Sequence, residues 1–250
     1  MPDRSFGTEA SGQKLLTGVL SLTSGSMDVI GFLGLGGLFT AHITGNLVIV
    51  AAHIVSGGTA QLAAILSVPV FMLVLCLARL LAGGIETINI NSLLPLLLLQ
   101  FLLLAALLAV CLAAGPGIDS NSVVVTIAGM LGVSAMAVQN ALVQVSLPGV
   151  PATAVITTNV ARLTTDVGTI LLGARPEELI AARKRAGRLW PSIAGFVIGC
   201  GLGAACEARF RLHALALPTG FALLALALAL VHTSIIKGAD RVNSGKFALH

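Results

Sequence analysis

Two sets of ionisable and amide side chains stand where the chain is otherwise apolar. Asp28, His42, Asn46 and His53 form the first, and Asn159, Arg162 and Asp166 the second. Positions 42, 46, 49, 53 and 56 advance by four and three, which is one face of an α-helix. That face reads His42, Asn46, Ile49, His53, Ser56, and its later counterpart reads Val155, Asn159, Arg162, Asp166, Thr169. Carboxylates and imidazoles take up and release protons, and amides orient polar solutes. Arg162 stands four residues before Asp166, a spacing at which the two can pair. The chemistry predicted is solute binding by Asn46, Asn159, Thr44, Thr157 and His42. Asp28, His53, Arg162 and Asp166 then supply proton coupling or paired charge. The same groups can instead bond to one another and hold helices together, with no solute involved.

The two sets are linked by a repeated stretch. Thr40-Ala41-x-Ile43-Thr44-x-Asn46 returns as Thr153-Ala154-x-Ile156-Thr157-x-Asn159. Under that alignment the two asparagines coincide, Ser56 matches Thr169 and His53 matches Asp166. Asp28 falls opposite Gln139 or Asn140. Pro69 pairs with Pro191, and Pro95 with Pro218, if the loop before Pro191 is longer than its counterpart.

The elements that must position these groups are membrane helices. Of 250 residues, 56% are hydrophobic and only 10% charged, with mean hydropathy +1.01. A soluble domain carries about a quarter charged residues, so a soluble fold is excluded. Apolar segments over 15–34, 38–56, 61–83, 93–114, 122–146, 153–173, 190–207 and 213–232 predict an all-α polytopic bundle of about eight spans. Four spans per half would make the repeat parallel, with halves 15–114 and 122–232 inserted in the same orientation. A polar tail 1–14, a basic loop 174–189 and a tail 233–250 complete the chain. Most of the fourteen basic residues, including Lys14 and the run from Arg175 to Arg188, fall on one predicted side. That side is the cytoplasm by the positive-inside rule, with both termini there. Facing polar stripes predict that the second and sixth segments meet across the symmetry axis.

Other classes receive no support. The basic residues lack aromatic interleaving, so nucleic acid is not a predicted partner. Cys76, Cys111, Cys200 and Cys206 stand singly, which predicts neither disulfide nor metal site. No His-Glu-x-x-His or Gly-x-Ser-x-Gly is present, so neither an enzyme nor a cofactor is expected. Gly195, Gly199 and Gly203 predict close helix packing, within the bundle or in a homo-oligomer.

Asp28, Gly31-Phe32-Leu33, Leu35-Gly36-Gly37 and Phe39-Thr40-Ala41-His42-Ile43-Thr44-Gly45-Asn46 resemble the signature of the YoaK family of bacterial multi-pass membrane proteins. Thr157 to Asn159 followed by Thr165-Asp166-x-Gly168 is similar to that family's second signature, although Thr158 stands where the family more often has Gly. The resemblance implies a bacterial inner-membrane protein and supplies no substrate. The bilayer is then the first partner and a small solute the second. A scaffold or accessory subunit is the alternative to a permease.

Overall fold

The computed structural model describes residues 3–57, 61–88, 90–115, 122–154, 156–173 and 175–247, with side chains between 11 and 234, His232 excepted. Residues 1–2 and 248–250 of the expected tails, and position 174 of the expected basic loop, lie outside the described residues. The chain is all helical there: α1 (Asp3–Gly34), α2 (Ile43–Val55), α3 (Leu62–Thr87), α4 (Leu93–Ala114), α5 (Val123–Ser146), α6 (Ile156–Leu171), α7 (Pro176–Phe210) and α8 (Ala216–Phe247), with a 3-10 turn Arg211–Leu215 before α8. The expected basic loop is the first half of α7 instead. Pro176 starts that helix, where its missing N–H costs nothing, and Glu177 and Glu178 in the first turn suit the positive end of the helix dipole.

Five stretches are long and apolar enough to cross a membrane: Ser11–Gly34, Leu62–Thr87, Leu93–Ala114, Val123–Ser146 and Pro176–Val231, the last running through both α7 and α8. The expected second and sixth spans fail this test. α2 has 13 residues and α6 has 16. At 1.5 Å per residue they reach about 20 and 24 Å, short of a hydrocarbon core of about 30 Å. The apolar composition of 38–56 and 153–173 is real, but the described part of each segment includes turns and bends outside the helix.

Side-chain contacts set the directions of the helices. Gly18 lies against Gly195, Leu22 against Gly199 and Ser26 against Gly203. Steps of four on α1 match steps of four on α7, so these helices run parallel and their backbones nearly touch. The glycine stripe thus serves packing inside the bundle. Gln100 meets Gln139 and Ser92 meets Ser146, making α4 and α5 antiparallel. Asn159 meets Ser192 while Asp166 meets Arg185. Seven residues forward on α6 are therefore seven back on α7, and the two form an antiparallel hairpin about Gly173. Asn46 bonds Ser67, nearly equidistant from the turn at Gly57, so α2 and α3 form a second hairpin.

These directions overturn two expectations. Leu104 receives the Thr219 hydroxyl, while Leu93 shares a cavity with Leu228 and Val231. α4 and α8 are therefore antiparallel, whereas a parallel repeat requires its last helices to run the same way. Secondly, α2 packs on α3 and α6 on α7, and the α2–α6 contact is not among the substantial helix pairs. Asn46 on α2 and Asn159 and Asp166 on α6 bond the next helix of their own hairpins.

Two ends of the bundle follow. The near end gathers Gly12 and Leu16, Leu93, Leu147 and Leu228. The far end gathers Gly34 with Leu212 and Glu207, and Leu38 with Gly129 and Ala63. α1 runs from near to far. The chain then turns back inward through Leu35–His42, and α2 climbs to the far end again, where α3 begins. α5 runs from far to near, 147–154 turns inward, and α6 returns to the near end ahead of α7.

Candidate functional site

Asp28 sits six residues before the end of α1 and is only 3% exposed. The chain leaving α1 folds back over it because Gly36 and Gly37 adopt positive φ, 74° and 85°. A side chain at Gly36 would meet the Gln61 amide, and one at Gly31 the Leu38 carbonyl. Asp28 Oδ1 accepts the backbone N–H groups of Thr40 (2.9 Å), Ala41 (2.6 Å) and His42 (3.4 Å), and the Thr40 hydroxyl at 3.3 Å. Its Oδ2 takes His42 Nδ1 at 2.5 Å. A carboxylate therefore holds the backbone just before the start of α2, where unpaired N–H groups and the helix dipole favour negative charge. With a carboxylate as acceptor, Nδ1 of His42 carries the hydrogen. The ring makes an edge-type contact with Phe196, centroids 5.5 Å and planes 65° apart, and its side chain is one-third exposed.

The second turn inward is built on an amide. Gln139 sits seven residues before the end of α5 and is fully buried. Its Nε2, with two hydrogens to share, lies within hydrogen-bond distance of Thr153 Oγ1 (2.9 Å), Ser24 Oγ (2.6 Å) and the Leu20 carbonyl (3.0 Å), while Oε1 accepts from Gln100 Nε2 at 2.7 Å. Thr153 is thus tied to Gln139 as Thr40 is tied to Asp28. Asn140 bonds only within its own helix, to the Met136 carbonyl, so Gln139 is the residue opposite Asp28. Ser24 and Asp28 lie one turn apart on α1, which brings the two clusters together near the middle of the bundle. Gln100 Oε1 is a buried acceptor with no partner among the described residues.

The asparagines fasten these turns. Asn46 exchanges two bonds with the Phe39 backbone, at 2.9 and 2.7 Å, and donates to Ser67 at 2.9 Å. Asn159 donates to the Ala152 carbonyl (2.6 Å) and to Ser192 (3.2 Å), and Ser192 reaches Ser21 on α1. Both amides bridge the carbonyl seven residues back to a serine on the next helix. Ser67 precedes Pro69 by two residues whereas Ser192 follows Pro191, so the two prolines are not in the same register. Thr44 and Thr157 are exposed and outside both clusters. Asn46→Ala and Asn159→Ala should each lower stability by about 1–3 kcal/mol through stranded buried partners, whereas Thr44→Ala should leave the melting temperature unchanged. Thermal unfolding in detergent measures all three.

The remaining expected residues separate. His53 is exposed on α2 and bonds its own helix at the Ile49 carbonyl, 2.8 Å. It stands towards the far end while Asp166 stands towards the near end. Asp166 does not pair with Arg162. Its oxygens face α7, where Arg185 grips Oδ1 through Nη2 (2.6 Å) and Nε (3.0 Å) and reaches Oδ2 at 3.3 Å. Arg162, four residues away on the same helix, is exposed and lines a cavity beside α7. Residues that the periodicity did not single out are Ser67, Ser192, Gln100, Arg185 and Glu207. Gln100 had a visible signal, a single amide in a run of leucines. Glu207 is buried at the far end beside Gly34, with Oε2 unpartnered among the described residues.

Apolar helices of spanning length around a buried polar centre define a multi-pass helical membrane protein. The polar centre and the turns beside it coincide with the stretch that carries the family signature. The chain belongs to the family described as "Protein of unknown function (DUF1275)", whose model matches residues 16–228. It is similar to the UPF0700 transmembrane protein YoaK of Bacillus subtilis (strain 168), with 47% identity over 47 residues, 19% of this chain and 21% of that protein. The aligned part thus covers about a fifth of that relative's length. No solved structure matches the chain.

Proposed function

We propose that the protein is a small-solute permease built as an inverted repeat, with its site where the two inward turns meet. α1, α3 and α4 cross the membrane in one half and α5, α7 and α8 in the other, while α2 and α6 are half-helices entering from opposite faces. Three crossings per half reverse the second half relative to the first. Parallel α1–α7 and α3–α5 pairs and an antiparallel α4–α8 pair support this, being related by a two-fold axis in the membrane plane. Lys14 and the residues from Arg175 to Arg188 lie at the near end and Arg209 and Arg211 at the far end, so the near end is cytoplasmic in this reading.

The observation that carries the proposal is the Asp28–His42 pair. Irregular backbone at membrane depth is tolerated where it is enclosed by protein or lines a path, and an intramembrane ionisable pair marks such a path more often than it serves packing. Gln100 Oε1, next to Gln139, offers a free acceptor at the same centre. The solute class is therefore small and polar with a hydrogen-bond donor, and His42 and Asp28 are the groups able to exchange a proton during passage.

The test uses the purified full-length protein. A thermal-shift screen of small polar metabolites finds a stabilising solute, because binding to the native state raises its melting point by mass action. That solute then enters proteoliposomes. His42→Gln, which keeps the backbone bonds to Asp28, should remove flux while the variant stays folded. A scaffold role is favoured by one observation, the internal satisfaction of Asn46 and Asn159. It predicts that no solute stabilises the protein and that His42→Gln has no effect beyond stability.

A further inference from the structure

The near end holds a feature that the central site does not use. Arg162, Arg185 and Arg188 line a cavity of about 680 Å³ bounded by Gly149, Pro151 and Leu189, and Asp166 is the one carboxylate in its lining. Asp166 is fully engaged by Arg185. The antiparallel hairpin sets Arg162 level with Leu189, next to Arg188, and neither of these arginines makes an ion pair among the described residues. Two guanidinium groups beside one cavity repel each other unless an anion sits between them. Arg185, held rigid by its carboxylate, offers further N–H donors. Planar guanidinium groups match the oxygens of a phosphate in pairs.

The surroundings indicate how such an anion would be presented. Trp190 is 56% exposed and follows Arg188 by two residues, and Leu171, Leu172 and Ile180 on the same hairpin are exposed apolar side chains. Tryptophan beside basic residues, where the apolar part of a helix begins, is the pattern of a membrane–water boundary. We propose that this cavity binds a phosphate ester, presented by the headgroup of an anionic phospholipid. Arg162 and Arg188 contact the phosphate, and Asp166 positions Arg185 to close the third side. This does not rest on the transport reading.

The probes are phosphatidylglycerol, phosphatidylcholine and, as soluble arms, inorganic phosphate and glycerol phosphate. Native mass spectrometry of the full-length protein should show phosphatidylglycerol retained about tenfold over phosphatidylcholine, and Arg162→Gln/Arg188→Gln should remove that preference. The double variant keeps the Arg185–Asp166 bond and should melt as the wild type does, which separates loss of binding from loss of fold. The single variant Arg162→Gln should lie between. Arginine-dependent binding of glycerol phosphate without lipid preference would retain the phosphate chemistry and overturn the headgroup assignment. Equal retention of both lipids, or a preference that survives the double substitution, would overturn the proposal.

Discussion

Asp28→Ala should lower the melting temperature more than any other substitution at the centre of the bundle. Removing Oδ1 strands the amides of Thr40 and Ala41 and weakens the hold on His42 in a place closed to water. Each buried donor left without an acceptor costs about 1–3 kcal/mol, and bonds to a charged acceptor lie at the upper end. Two or three such losses approach the whole stability of a typical domain, about 5–15 kcal/mol. Asp28→Asn keeps one carbonyl oxygen for the amides and loses the charge, so it should fall between Ala and wild type. Trp190 fluorescence during heating provides the readout. An alanine variant that melts with the wild type would mean that the turn before α2 is held by something other than this carboxylate.

Gly199→Leu should be comparably severe for a different reason. A Cβ at position 199 would lie 2.5 Å from the Leu22 carbonyl oxygen and 3.0 Å from its Cα. Backbone atoms cannot rotate away as a side chain can, so α1 and α7 would have to separate. Over-packing costs typically about 1–3 kcal/mol where neighbours can adjust, and more where they cannot. Separation would also disturb Ser21–Ser192 and the Gly25 contact with Phe196, and through Phe196 the seat of His42. Gly201→Leu is the control, since nothing lies within 4 Å of a side chain at that position. Size-exclusion chromatography of detergent-extracted protein should show Gly199→Leu aggregated and Gly201→Leu monodisperse. Equal behaviour of the two would contradict the close α1–α7 contact.

The membrane class and some of the residues in the buried polar clusters were legible in the sequence, because composition and helical spacing are local properties. Asp28, His42, Asn46 and Asn159 all lie where two elements meet. Their partners were not legible. A four-residue spacing makes Arg162 available to Asp166, but the α6–α7 hairpin brings Arg185 closer to being in line with the carboxylate, and the tertiary pair forms instead. The expected second and sixth spans come out short because hydropathy does not distinguish one long apolar helix from an apolar turn followed by a short one. Residues 38–42 fall within the expected second span, yet they are not helical and α2 begins only at Ile43. In the permease proposal, one helix in each half that does not cross changes an even number of crossings to an odd one. The inferred symmetry then changes from parallel to inverted.

The turns before α2 and α6 also account for why the Thr-Ala-x-Ile-Thr-x-Asn stretches are polar. Thr40 and Thr153 bond the preceding helix, and Asn46 and Asn159 bond the following one. Each stretch supplies from side chains the hydrogen bonds that an interrupted helix cannot make within itself. In the transport reading, the difference between Asp28 and Gln139 at equivalent places makes one turn ionisable and the other neutral.

The most direct measurement is the side of the membrane on which the connecting segments emerge. Single cysteines at Ser56, Asn91, Gly115 and Gly149, in a chain with Cys76, Cys111, Cys200 and Cys206 replaced by Ala, can be labelled in intact cells with a membrane-impermeant thiol reagent. Half-helices that return to their own side predict labelling from outside at Ser56 and Gly115, and protection at Asn91 and Gly149. With a fifth site at Ser11 before α1, protection at Ser11 together with protection at Ser56 and Gly115 and labelling at Asn91 and Gly149 would place residues 11 and 56 on one side, would mean that α2 crosses the membrane, and would contradict the inverted arrangement.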